Sequence, residues 1–160
     1  MFATFTAGRT DGDIRVALID RPELLEWVMT EDAPELRPEL IALGEAELVA
    51  LAGAPVVEPW EAVVAIERLR SFGPESVLAS LGAAGAVLVS TGGAFHAEFE
   101  SPAGDAFTLD ELLSGFLIAG ADGPEALAAA LLSAASDSNP LPTVHVTWID
   151  ALELARACTP

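Results

Sequence analysis

The stretch Val77-Leu78-Ala79-Ser80-Leu81-Gly82-Ala83-Ala84-Gly85-Ala86-Val87-Leu88-Val89-Ser90 decides the fold of this chain. Two apolar runs, 77–81 and 86–90, flank the turn Gly82-Ala83-Ala84-Gly85. Both are apolar at odd and even positions alike, which is the pattern of strands covered on both faces. The glycines supply the backbone freedom that a tight connection needs. Gly92-Gly93 reads as a further turn, and Ala94-Phe95-His96-Ala97-Glu98-Phe99 as a third strand.

Upstream, 15–20 reads as a buried strand and Pro22 as the first-turn residue of a helix reaching about Met29. The stretch 30–38, with Pro34, Pro38 and several acids, reads as a loop. Leu40-Ile41-Ala42-Leu43 is a short strand ending at Gly44, followed by a helix over 45–51 that stops at Gly53. Val63, Ile66 and Leu69 lay an apolar stripe along a longer helix that begins near Pro59 and ends by Gly73. Downstream, helices are expected over 110–118 and 124–135, an irregular segment over 136–143, and a last helix over 149–157. Strands alternating with helices predict an α/β layered domain. The chain divides into 1–14, an extension or added edge strand, and 15–160, a single domain.

Composition narrows the function. The chain has 160 residues, 52% of them hydrophobic, with a mean hydropathy of +0.46, so a sizeable core is expected. It carries 25 acidic residues against 7 arginines and no lysine, a formal net charge of -18. Tracking a nucleic-acid backbone needs a basic face, and an anionic membrane repels an acidic one, so neither partner is expected. The N-terminal residues lack the basic and apolar blocks of a signal peptide, and the most apolar window, 79–91, is too short and glycine-rich to span a bilayer. A cytoplasmic location is the default expectation. A single cysteine, Cys158, leaves no disulfide framework. His96 and His145 lack the paired spacing of a metal site, so no metal ligand is assigned. Trp27, Trp60 and Trp148 read as core or interface anchors near helix ends.

With these elements in place, the chain resembles the PfkB or ribokinase-like carbohydrate kinases, the group that includes phosphofructokinases of the one-phosphate type. The likeness is carried by the turn 80–89, by the strand and helix start Pro38-Glu39-Leu40-Ile41-Ala42-Leu43-Gly44-Glu45-Ala46-Glu47-Leu48, by the helix segment 113–120, and by Leu141-Pro142-Thr143, in the family's order. It covers about 15–154 and corresponds to the C-terminal, nucleotide-binding half of such a kinase. It implies a three-layer, Rossmann-like α/β sheet flanked by helices, without the half that supplies most of the sugar pocket and the lid. If the chemistry is kept, ATP and magnesium are the implied cofactors and a sugar hydroxyl the acceptor; otherwise none is expected.

The family's Gly-Ala-Gly-Asp segment receives developing negative charge on backbone N–H groups at a helix start, and its aspartate takes the hydroxyl proton. Two registers compete in this chain. In one, Pro102-Ala103-Gly104-Asp105 is the segment, Asp105 the base and Gly104 the surviving anion-hole glycine. In the other, read without a gap, Asp110 takes the catalytic position. Helix chemistry favours the second, since Thr108 suits a cap with Glu111 three residues on, but capping alone also explains that pattern. Glu47 matches the glutamate of the family's Asn-x-x-Glu motif, which helps organise the magnesium and phosphate region, while Gly44 replaces the asparagine. The plain reading of Glu47 is an exposed helix acid. Gly82 and Gly85 are the candidate nucleotide contacts of the turn, and a structural role suffices for both.

These losses fall together on the chemistry. The expectation is therefore a degenerate, non-catalytic kinase-like domain acting through a protein partner or a second copy, since an open sheet edge needs cover. The alternatives are an ATP- and magnesium-dependent sugar kinase completed by a dimer mate or partner, and an unrelated acidic α/β protein that binds a small ligand. Strand order discriminates the last.

Overall fold

The computed structural model describes residues 3–5, 14–19, 39–56, 58–70, 75–91, 93–100, 108–119, 123–134 and 143–149. The expected helix after Pro22, the loop before Pro38, the helix stop at Gly73, and Gly92, Gly104 and Asp105 lie outside these residues. So do Trp27, Cys158 and all but Ile149 of the expected last helix.

Among the described residues seven strands form one mixed sheet whose spatial order is the chain order. They are β1 (Ala3–Phe5), β2 (Ile14–Ile19), β3 (Leu40–Leu43), β4 (Ser76–Ser80), β5 (Ala86–Ser90), β6 (Gly93–Phe99) and β7 (Val144–Ile149). β2, β3 and β4 run parallel, and the other neighbours pair antiparallel. β1 adds to the sheet beside β2, with Ala3 opposite Val16. Among the described residues four helices accompany the sheet: α1 (Glu45–Ala52), α2 (Pro59–Arg70), α3 (Leu109–Ile118) and α4 (Gly123–Ala134).

Alternation along the central strands creates two cores. Leu40, Ala42, Leu78, Ala86, Leu88 and Ala97 face one side and pack with Leu112, Phe116, Leu127 and Leu131 of α3 and α4. Ile41, Leu43, Val77, Ala79, Val87 and Val89 face the other and pack with Leu48, Val63, Ile66 and Leu69 of α1 and α2. The stripe Val63, Ile66, Leu69 expected from the sequence is buried in that second core, with Trp60 packed at its margin. The result is the three-layer α/β arrangement, helices on both faces of the sheet.

The C-terminal strand corrects the sequence reading. Residues 144–149 form β7 against β6, with Ile149 opposite Ala94, so Ile149 closes a strand rather than opening a helix. Trp148 is 67% exposed, so it lies on a strand rather than near a helix end and does not fill the core half of its expected role as core or interface anchor. The physical signal was present in Val144, Val146 and Thr147, β-branched residues at strand spacing.

Phe116 is fully buried in the α3–α4 core. Phe116→Ala is expected to lower unfolding free energy by about 3–5 kcal/mol, read as a fall in the urea midpoint at unchanged slope.

Candidate functional site

β3 and β4 are parallel and end side by side, Leu43 opposite Ala79. Carboxyl ends of parallel strands are where open α/β sheets place their ligands. The chain turns from β3 into α1 at Gly44 and from β4 into the Gly82 turn, and Leu109 at the start of α3 reaches the same edge beside Gly44.

Gly44 caps α1 with extended backbone (φ -78°, ψ 171°) and no side-chain hydrogen bond. Glu45 and Glu47 occupy the first turn. Glu47 is 8% exposed, which corrects its reading as an exposed acid. It lies one helical turn before Leu51, on the face that also buries Leu48 and Leu51. Its carboxylate folds back over Gly44, where an added Cβ would collide with Oε2. Glycine at position 44 therefore makes room for this carboxylate.

The turn after β4 is a short 3-10 segment, Gly82–Ala84, and its polar groups are used internally. Ser80 Oγ accepts from the Gly82 N–H at 3.2 Å. Leu81 and Gly82 carbonyls accept from Ala84 and Gly85, and Leu81 N–H donates to the Gly85 carbonyl at 2.8 Å. His96 is buried, with Nε2 2.7 Å from the Ala84 carbonyl. A carbonyl only accepts, so Nε2 carries the proton and the imidazole fastens the turn to β6. Gly82 has φ +63°, and the Glu45 carboxylate from α1 lies where its side chain would project. Gly85 has φ +100°, and a Cβ there would run into the Ala97 carbonyl of β6. Its glycine is required by close backbone approach.

At the start of α3, Thr108 is the cap and its Oγ1 accepts from the Glu111 N–H at 3.2 Å. Asp110 is an exposed first-turn acid in the same turn. The structure thus brings Glu47 and the first turn of α3 to one edge, with Gly82 linked to it through Glu45. Gly85 instead faces β6. Sequence reasoning assigned no part to Glu45, although its position in the first turn of a glycine-capped helix marks it.

The electrostatics of this edge are negative. Each helix start has a partial positive charge that an anion could use, but Glu45 and Glu47 already occupy the first turn of α1, and Asp110 and Glu111 that of α3. Beside the turn lies a cleft of about 40 Å³ lined by Glu45, Val49, Val56, Glu58, Leu81 and Ala84, small against the roughly 300–1,000 Å³ of ligand pockets. A larger depression of about 230 Å³, lined by Trp60, Val64 and Arg68 among others, sits at the far end of α1. Among the described residues no group of three His, Cys, Asp or Glu side chains converges to hold a metal ion. His145 is exposed, 3.9 Å from the Glu100 carboxylate. Among the described residues no helix is long and apolar enough to cross a membrane.

Two of these glycines make a controlled comparison. Gly53 (φ +76°) ends α1 with nothing near its missing Cβ, whereas Gly85 faces backbone. Gly53→Ala is expected to cost about 1 kcal/mol from conformation alone, and Gly85→Ala more than about 3 kcal/mol because the strand pair must part. Thr108→Ala is expected to cost about 1 kcal/mol through the lost cap. Chemical denaturation of the three variants checks the ranking.

No protein-family model matches the sequence, and no curated protein is detectably similar to it. Solved structures are similar in fold. The pyridoxal kinase from Staphylococcus aureus in complex with pyridoxal superposes at a TM-score of 0.60 and 14% identity, over 81% of this chain and 57% of that one. Its complex with ADP gives 0.58 and 13%, over 82% and 59%. The aminoimidazole riboside kinase from Salmonella enterica gives 0.53 and 23%, over 76% and 45%. The chain spans about half the length of these kinases. Sheet order, layers and these superpositions together establish a ribokinase-like α/β fold.

Proposed function

We propose that this chain is a degenerate kinase-like domain that works without phosphoryl transfer, as a protein-interaction or accessory domain. One observation carries the reading: the positive ends of α1 and α3, at the edge where this fold places ligands, hold the chain's own carboxylates. Phosphoryl transfer is chiefly positioning and stabilisation of negative charge. The first turns of both helices already carry Glu45, Glu47, Asp110 and Glu111, and the N–H groups of Gly82, Ala84 and Gly85 are already bonded. The absence of lysine from the sequence removes the usual point charge for relief.

The competing reading is an ATP- and magnesium-dependent sugar kinase completed by a dimer mate or partner. Its support is Asp110, exposed in the first turn of α3, where the ungapped register puts the family's base. Asp105 and Gly104 belong to the other register and stay proposals of that reading alone.

Calorimetric titration with ATP and ADP, each with and without magnesium, decides between them, alongside a phosphotransfer assay on sugars. The expected result is no saturable binding up to millimolar nucleotide and no product. Saturable, magnesium-dependent binding with turnover that Asp110→Asn abolishes would overturn the proposal. Asp110→Asn is otherwise expected to lower stability by no more than about 0.3–1 kcal/mol, the worth of an exposed acid in a first helical turn.

A further inference from the structure

The last pair of strands is unlike the rest of the sheet. β6 sets Phe95, Ala97 and Phe99 opposite Trp148, Val146 and Val144 of β7. Register partners share a face, so this face of the pair is wholly apolar. Phe95, Phe99 and Val144 pack at the margin of the α3–α4 core, but the outer row emerges from it, with Val146 37% and Trp148 67% exposed. Four consecutive β7 residues, 145–148, are exposed, so the in-out alternation of the inner strands is lost here.

The backbone of β7 is also open on one side among the described residues, since the sheet order ends with it. Glu100 N–H donates to the Thr143 carbonyl at 2.8 Å, and these two residues are directly opposite in the register. Antiparallel pairs alternate between bonded and unbonded. Thr143, His145 and Thr147 therefore point their N–H and C=O groups at β6, and Val144, Val146 and Trp148 point theirs outward.

We infer that β7 is a homodimer interface, on which a second copy of this chain adds its own β7 antiparallel and extends the sheet across a two-fold axis. An antiparallel edge is complementary to itself, as an isologous contact requires. Centred on Thr147, the pairing sets Val146 of one copy against Trp148 of the other, exchanging backbone hydrogen bonds and joining the exposed apolar rows into aromatic–β-branched pairs. Charge permits this contact. Two chains of net charge -18 repel, and 144–149 contains no acidic residue to oppose its own copy. The same absence leaves nothing on this strand to attract a basic partner. The inference stands whether or not the chain binds nucleotide.

Sedimentation velocity over a wide concentration range, at low and high salt, tests it on the wild type and on two variants. Val146→Pro deletes an outward N–H while keeping the inward ladder, the position where an edge strand tolerates proline. Trp148→Glu puts a carboxylate into the apolar row without touching the backbone. The wild type is expected to dimerise, more tightly as salt screens the repulsion. Each variant is expected to raise the dimer Kd at least about tenfold, with an unchanged thermal midpoint at concentrations where all three proteins are monomeric. A monomeric wild type at high concentration and high salt would overturn the inference. So would dimers that persist in Trp148→Glu, or dimers that weaken as salt rises. If Val146→Pro unfolds, Trp148→Glu decides alone, because its side chain is already in solvent.

Discussion

The central strands must be buried on both faces at once, and most of the architecture follows from that requirement. β3, β4 and β5 have no polar side to turn to water, so each needs a helix layer above and another below. Odd and even residues along the same strand serve different cores, and a one-residue slip would exchange them wholesale. Register is correspondingly strict. Where β5 begins, it is enforced by backbone, since Gly85 lies against the Ala97 carbonyl with no space for a side chain. Among β3 to β7 the requirement relaxes toward the sheet's C-terminal margin, in β6 and most of all in β7.

Much of this was legible in the sequence because burial writes itself into composition. The runs 77–81 and 86–90 could be read as doubly covered strands from apolarity alone, and β3 and β5 begin and end where expected. Thr108 was legible as a cap because capping depends on local residue type. β7 was missed for the converse reason. It alternates between Val144, His145, Val146 and Thr147 but follows a proline-rich stretch and lacks the doubly apolar pattern of its neighbours. Burial of Glu47 was hidden too. Residue type argues for exposure, and only the shared helix face with Leu51 and the room above Gly44 draw it inward.

At the candidate site, stability and anion binding compete for the same groups. A carboxylate in the first turn of a helix stabilises that helix by roughly 0.3–1 kcal/mol by neutralising its positive end. The same carboxylate excludes a phosphate from it. In α1 and α3 that positive end is committed to the chain's own acids, so the edge is better suited to holding the fold together than to receiving a charged ligand. The Gly82 turn follows the same logic, with Ser80 accepting from the Gly82 N–H that a phosphate cradle would leave open.

The agreement between spatial order and chain order has a kinetic consequence. Each strand's neighbour in the sheet is also its neighbour in sequence, so no strand must insert between two already placed. Loop-closure entropy is then met in modest steps, and the sheet can grow by accretion from one end in the direction of synthesis. Such a chain has few topological traps, and its growing edge is a single strand at every stage. β1 and β7 are the two edges among the described residues, and β7 is the one added last.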